Sequence, residues 1–135
     1  MKLTDNFYLK EFTESKFFGK HQNRVLESFK QDENILLHNF TILANQLQIL
    51  RDYTGLPIKI NIAYRPKWWE LQQGRSGSSQ HVLGKAADIV IQGMKPKDTY
   101  ALVEYLIGKG VLKIGGLGNY KSFTHIDIRD NKARW

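Results

Sequence analysis

Two histidines and one aspartate are candidate ligands of a metal ion. His81 lies in a segment rich in glycine and serine, Asp88 follows at the start of an apolar run, and His125 lies near the end of the sequence. Two imidazoles and one carboxylate are a ligand set of catalytic zinc, which keeps its fourth position for water. Zinc lowers the pKa of that water towards about 7 and polarises a carbonyl, and amide hydrolysis needs both effects.

The pattern of these residues alone leaves other interpretations open. His81 could cap a turn, and Asp88 could cap the end of a strand. The remaining histidines, His21 and His38, are interpreted as surface or hydrogen-bonded core residues. Residues 123–129 read as a strand, in which side chains alternate between faces, so His125 faces away from its isoleucine neighbours towards a cleft.

The elements that must position these residues begin with helices. Residues 33–53 repeat apolar side chains on one face of a helix, and Gly55 and Pro57 then end it. Residues 57–64 (PIKINIAY) alternate apolar and polar side chains, which predicts a half-buried strand.

The second half of the sequence predicts strands with one inserted helix. The expected elements are a long loop over 67–80, a strand over 87–91, a helix from Pro96 to Gly108 or Gly110, a short strand over 112–114, a turn over 115–118 and a final strand over 123–129. Helices followed by strands predict an α+β fold, a small, mostly antiparallel sheet with helices packed on it. Trp68 and Trp69, in the expected loop, either line a substrate groove or pack the loop onto the core.

Composition limits the class of protein. The chain has 135 residues, 41% of them hydrophobic, which predicts one domain over residues 1–135. There is no cysteine, so any metal is held by His, Asp or Glu. No apolar run reaches the roughly 20 residues needed to cross a bilayer, so no membrane insertion is expected. The N-terminus has no continuous apolar stretch, and no signal peptide is expected.

The net charge of +7 has two interpretations, a solvated surface or a polyanionic partner such as a bacterial cell wall. A nucleic-acid partner is not expected, because no nucleic-acid-binding motif accompanies the charge. His125-x-Asp127 with a distant histidine also matches the facial triad of non-haem iron oxygenases. Those enzymes have many strands in a double-sheet barrel, whereas the first third of this chain is helical.

One segment resembles a known family. The spacing Ser79-x-His81-x-x-Gly84-x-Ala86-x-Asp88 is similar to the signature of the D-alanyl-D-alanine carboxypeptidase family of zinc metallopeptidases, which shares its fold with the zinc domain of hedgehog proteins. Further segments resemble one branch of that family and extend the resemblance over essentially the whole chain. They are Phe7-x-Leu9-x-Glu11-Phe12, Gly115-Gly116-Leu117-Gly118-x-Tyr120, Phe123-x-His125-x-Asp127-x-Arg129 and Ala133-Arg134-Trp135.

The resemblance implies a zinc ion (Zn²⁺) bound by His81, Asp88 and His125. It also implies that Arg65 holds a substrate carboxylate or carbonyl through its planar fork of donors. A salt bridge that anchors the following loop is the alternative for Arg65. Ser79 matches a serine that hydrogen-bonds the substrate, and a turn hydroxyl is its alternative.

The sequence departs from the wider family at the general base. Many members carry an acidic residue three positions before the last zinc histidine, and this chain has Ser122 there. The branch with His-x-Asp places its carboxylate after the histidine, so Asp127 is the predicted base. The alternative is that Asp127 orients a ligand of the metal.

The function implied is a zinc peptidase that hydrolyses peptide bonds in bacterial peptidoglycan, as an endopeptidase or a carboxypeptidase. The expected setting is a phage lysis or virion enzyme, cytoplasmic until lysis or carried in the particle. The alternative is a non-catalytic zinc-binding structural or recognition module of the same fold. The sequence does not decide the oligomeric state.

Overall fold

The computed structural model describes residues 1–135 and has an α+β fold, as predicted. The helices are α1 (Leu9–Thr13), a 3₁₀ helix (Lys16–His21), α2 (Gln22–Gln31), α3 (Glu33–Thr54), α4 (Lys67–Gln72) and α5 (Pro96–Gly108). The strands are β1 (Ile58–Ile62), β2 (Ala86–Ile91), β3 (Gly116–Asn119), β4 (Thr124–Asp127) and β5 (Ala133–Arg134). No helix combines the length and the apolar character needed to cross a membrane.

The five strands form one sheet in the order β1-β2-β4-β3-β5. All neighbouring pairs are antiparallel except β3 and β5, which are parallel, so the expected mostly antiparallel sheet is confirmed. β2 and β4 occupy its centre. Each of these two strands is hydrogen-bonded to a neighbour on both sides, which fixes the backbone positions from which its polar side chains project.

Helix α3 forms much of the core and supports the segment that carries His81. Its apolar face is buried, and it ends at Gly55, whose φ of 67° is the left-handed conformation that glycine adopts readily. The Asn39 side-chain amide donates to the Leu83 carbonyl at 2.8 Å. A Cβ on Gly84 would lie 2.9 Å from both Leu36 and Phe40, so the turn after His81 rests directly on α3.

The segment 67–80 does not form the continuous loop that the sequence predicts, because it opens with α4. Trp69 is buried and packs edge-on against Phe18, with ring centroids 5.2 Å apart. Trp68 is half-buried and donates from Nε1 to Ser28 Oγ at 2.8 Å. The two tryptophans therefore pack the segment onto the core, the second of the two expected roles.

Two expectations about residues 112–118 are wrong. Leu112 and Ile114 are buried, but their backbone forms no strand. The glycine-rich run is not a turn: β3 begins at Gly116 and pairs with both β4 and β5. Glycine here permits close approach of neighbouring side chains rather than a change of direction.

Candidate metal centre

Two of the three candidate ligands face each other across the centre of the sheet. Asp88 on β2 and His125 on β4 are direct partners in the antiparallel register. His125 Nδ1 lies 3.2 Å from Asp88 Oδ1. The pairing of the two strands therefore fixes this separation, although 37 residues separate the two in sequence.

His81 reaches the same place from the turn that precedes β2. Its ring is buried, and Nδ1 lies 2.6 Å from the carbonyl oxygen of Ala63. A carbonyl oxygen only accepts, so Nδ1 carries the proton and donates it. In the neutral ring Nε2 then has a free lone pair. This nitrogen is 3.3 Å from Asp88 Oδ1.

The donor set fits a cation. One ligand atom from each of His81, Asp88 and His125 lies within 4.8 Å of the others, so the three residues can hold a metal ion. The lone pair of His81 Nε2 and the carboxylate of Asp88 are both acceptors that face each other in a buried site. Without a proton or a cation between them, this contact is repulsive. Two imidazole nitrogens and one carboxylate oxygen match the ligands of catalytic zinc.

The surroundings set the protonation states of these groups. Burial lowers the pKa of His81 and favours its neutral, ligating form. Burial favours the neutral acid at Asp88, but the neighbouring imidazoles of His125 and His81 outweigh it, and the pKa of Asp88 lies far below its ordinary value. Burial opposes charge on His125 too, yet hydrogen bonds to Asp127 and Asp88 raise its pKa.

Asp127 lies on the far side of the His125 ring from Asp88. Its Oδ2 is 2.8 Å from His125 Nε2, while Nδ1 of the same ring faces Asp88. The side chain is fully buried and also accepts from the Gly116 backbone amide and from two nitrogens of the Arg129 guanidinium, at 2.7–3.0 Å. Burial favours the neutral acid, but donors from His125 and Arg129 outweigh it and hold the pKa of Asp127 far below its ordinary value.

This position does not suit the general base expected at Asp127. The imidazole stands between its carboxylate and the group of three ligand atoms, and its oxygens are already engaged. The geometry favours the alternative, a carboxylate that accepts from His125 Nε2–H and leaves Nδ1 free for a metal. Ser122 is exposed in the turn between β3 and β4 and does not line the cleft described below.

Three glycines make room for these side chains. Gly116 and Gly118 on β3 are the register partners of Asp127 and His125. A Cβ on Gly116 would lie 2.1 Å from Asp127 Oδ2, and one on Gly118 would lie 2.6 Å from Trp135 Nε1. A Cβ on Gly115 would meet the Arg129 carbonyl at 1.9 Å. The Gly-Gly-Leu-Gly run is therefore required by packing around the site.

The candidate ligands form the floor of a cleft of about 400 Å³. Its lining combines polar and cationic side chains with three aromatic rings. The lining residues are Arg65, Arg75, Ser78, Ser79, Gln80, His81, Asp88, Tyr120, Phe123, His125, Arg129 and Trp135. Three arginines around one opening suit a ligand that carries carboxylates.

The two expected substrate-binding residues share a buried partner that the sequence analysis missed. Glu70 on α4 is fully buried, accepts from Ser79 Oγ and lies 3.5 Å from Arg65 Nε and 3.4 Å from Arg75 Nη1. Arg65 thus has the salt bridge foreseen as its alternative role, and it also lines the cleft. In the sequence, Glu70 is a single acid beside two tryptophans. Periodicity alone does not distinguish such a buried acid from a solvated one.

A buried group of two histidines and one aspartate on the floor of an open cleft is typical of a zinc hydrolase. The chain belongs to the peptidase M15 family, whose model matches residues 11–127 and therefore includes all three candidate ligands. This is a family of zinc peptidases of the D-alanyl-D-alanine carboxypeptidase type, so the family resemblance is confirmed. No curated protein matches the chain.

Proposed function

We propose that residues 1–135 form a single zinc metallopeptidase domain that hydrolyses peptide bonds in bacterial peptidoglycan, with zinc held by His81, Asp88 and His125. The observation that carries the proposal is the position of the three ligands on the floor of a cleft with three arginines. Peptidoglycan peptides carry free carboxylates, which guanidinium groups bind through paired hydrogen bonds. The net charge of +7 also favours approach to an anionic cell wall.

The residues around the ligands have distinct tasks in this proposal. A bound zinc would supply an acidified water and polarise the scissile carbonyl. Arg65 donates to a carboxylate or carbonyl of the substrate. The Ser79 hydroxyl donates its hydrogen bond to Glu70, so its oxygen is left to accept a hydrogen bond from a substrate N–H. Asp127 is a positioning residue that holds the tautomer and orientation of His125.

The alternative, a zinc-binding module without turnover, is favoured by one observation. The acids nearest the ligands are both engaged: Asp127 pairs with Arg129, and Glu70 pairs with Arg65 and Arg75. Neither is a free carboxylate beside a metal-bound water. Measurement of turnover therefore separates the two candidate functions.

The test combines metal analysis with digestion of purified peptidoglycan. We expect one zinc per chain and release of new amino or carboxyl termini from wall peptides, which mass spectrometry locates. A chelator should abolish the release, and added zinc should restore it. One bound zinc with no cleavage of any wall fragment would favour the binding module, and absence of zinc would contradict both candidates.

Replacing Arg65 by alanine should weaken substrate binding while zinc is kept. Because Arg65 also pairs with the buried Glu70, the change should lower the melting temperature as well. In Arg65→Ala the buried Glu70 carboxylate keeps only Arg75 as an arginine partner. The double variant Arg65→Ala/Glu70→Gln removes that buried charge and should regain part of the lost stability, yet its KM should stay several-fold above that of the parent. A KM that returns to normal in the double variant would assign Arg65 a structural role alone.

A further inference from the structure

Three aromatic side chains form one wall of the cleft, called here the aromatic wall: Tyr120, Phe123 and Trp135. Trp135 Nε1 donates to the Tyr120 hydroxyl at 2.8 Å. The rings of Tyr120 and Phe123 stack with centroids 4.4 Å apart and an angle of 14° between their planes. The three rings therefore form a connected surface, and all three line the cleft.

Trp135 is fixed in place although its side chain is not buried. Its backbone amide donates to the Leu117 carbonyl at 3.2 Å, and its oxygen accepts from the Asn119 amide at 2.7 Å. The Arg129 guanidinium lies 5.4 Å from the ring centroid, and the ring occupies the space that a Cβ on Gly118 would fill. Even so, 45% of Trp135 is exposed. A large ring that is held in one position and exposed to a cleft can contact a ligand with little loss of side-chain conformational entropy.

The position of the ring limits what it can contact. The centroid of Trp135 is 4.9 Å from that of His125, so a ligand that lies in the cleft against this ring is close to the candidate metal centre. In a peptidase, that neighbour is the peptide flanking the scissile bond and not a distant sugar. Arg65 and Arg75 line the same cleft, so the walls offer cationic and aromatic surfaces to one substrate.

We propose that Trp135, supported by Tyr120 and Phe123, is a substrate-binding residue that packs against an aliphatic part of the peptide beside the scissile bond. The ring supplies apolar contact area, while the arginines bind the carboxylates of the same peptide. This inference rests on the proposed peptidase function. It assigns the segment Ala133–Trp135 to the substrate site, whereas the family match ends at residue 127.

The chain contains a matched control for this residue. Trp68 is half-buried, whereas Trp135 is exposed. Like Trp135, Trp68 donates from Nε1 to a hydroxyl at 2.8 Å and lies under an arginine, with the Arg24 guanidinium 3.8 Å from the ring centroid. It does not line the cleft. Trp68→Ala therefore removes the same kinds of contact as Trp135→Ala at a position away from the site.

The experiment measures KM, kcat and zinc affinity for Trp135→Ala, Trp135→Phe and Trp68→Ala on sugar-free wall peptides. We expect Trp135→Ala to raise KM about 10-fold or more, with zinc affinity kept and kcat little changed. Trp135→Phe keeps an apolar ring and should retain most of the affinity. Trp68→Ala should leave KM unchanged. The melting temperature of each variant shows whether it is folded. If the alanine variant unfolds, Trp135→Gln, which keeps side-chain bulk without the apolar ring, replaces it with the same expected rise in KM.

Two results would overturn the inference while the proposed function stands. One is an unchanged KM in Trp135→Ala on the sugar-free peptides, and the other is a loss of zinc affinity that accounts for the whole effect. Failure of the proposed function is seen separately, as absence of turnover by the parent protein. If the parent shows no turnover, calorimetric titration of the same peptide into the zinc-loaded parent tests whether the aromatic wall binds it. Binding weakened by Trp135→Ala supports it, and no binding by the parent contradicts it.

Discussion

His81→Ala should abolish zinc binding at stoichiometric metal and reduce turnover on wall peptides to less than about one hundredth of the parent value. Loss of a residue that merely orients a metal ligand commonly lowers metal affinity or activity by about 10–100-fold, and loss of the ligand itself should lower them further. Only two candidate ligands, Asp88 and His125, would remain. Metal content after gel filtration and a competition titration against a chromogenic chelator give the affinity.

His38→Ala is the matched control for that variant. His38 is exposed on α3 and takes no part in the group of three ligand atoms, so its replacement should leave both zinc content and turnover unchanged. Full zinc occupancy in His81→Ala would show that the metal is held elsewhere. Equal losses in the two variants would indicate a general effect on folding.

Asp127→Asn should lower zinc affinity by about 10–100-fold, and turnover should recover largely when zinc is added in excess. The physical reason is the carboxylate that accepts from His125 Nε2 and pairs with the Arg129 guanidinium. An amide keeps the shape but loses the charge, so it holds His125 less firmly and leaves Arg129 without its anionic partner. Zinc affinity and kcat at saturating zinc are the two measurements.

The same variant separates the two roles foreseen for Asp127. A general base would give the opposite result, with zinc affinity unchanged and kcat at saturating zinc lowered by roughly 100-fold or more. Asp130→Asn is the control, because Asp130 is an exposed acid close by that makes none of these contacts. It should change neither quantity.

The grouping of His81, Asp88 and His125 was predictable from two patterns in the sequence. Strand alternation assigns His125 to the cleft face, and the family signature links His81 to Asp88 at a fixed spacing. The register that places Asp88 opposite His125 was not predictable, since it depends on pairing between segments 37 residues apart. Asp127 lies two residues after His125 on β4 and contacts the ring nitrogen that faces away from Asp88, so the geometry favours a positioning role over the expected role as base.

The errors in the fold have a common origin. The glycines at 115–118 were interpreted by their backbone freedom, which predicts a turn, whereas the structure uses their missing Cβ atoms to admit Asp127, Arg129 and Trp135. The helix α4 was missed because residues 67–80 are dominated by glycine and serine after the first turns. Glu70 was missed for a different reason. A buried acid with two arginine partners is a tertiary feature, and no single-segment pattern reports it.

The placement of the ligands on β2, on β4 and on the turn supported by α3 has a consequence for how the protein acquires its metal. A loop that joins Asp88 to His125 must close before the third ligand arrives, and closure of a non-local contact is a slow step in folding. His81 and Asp88 alone offer one imidazole and one carboxylate, a pair that holds zinc weakly. Metal capture should therefore follow formation of the central strand pair, so a bound zinc would lock a sheet that has already assembled.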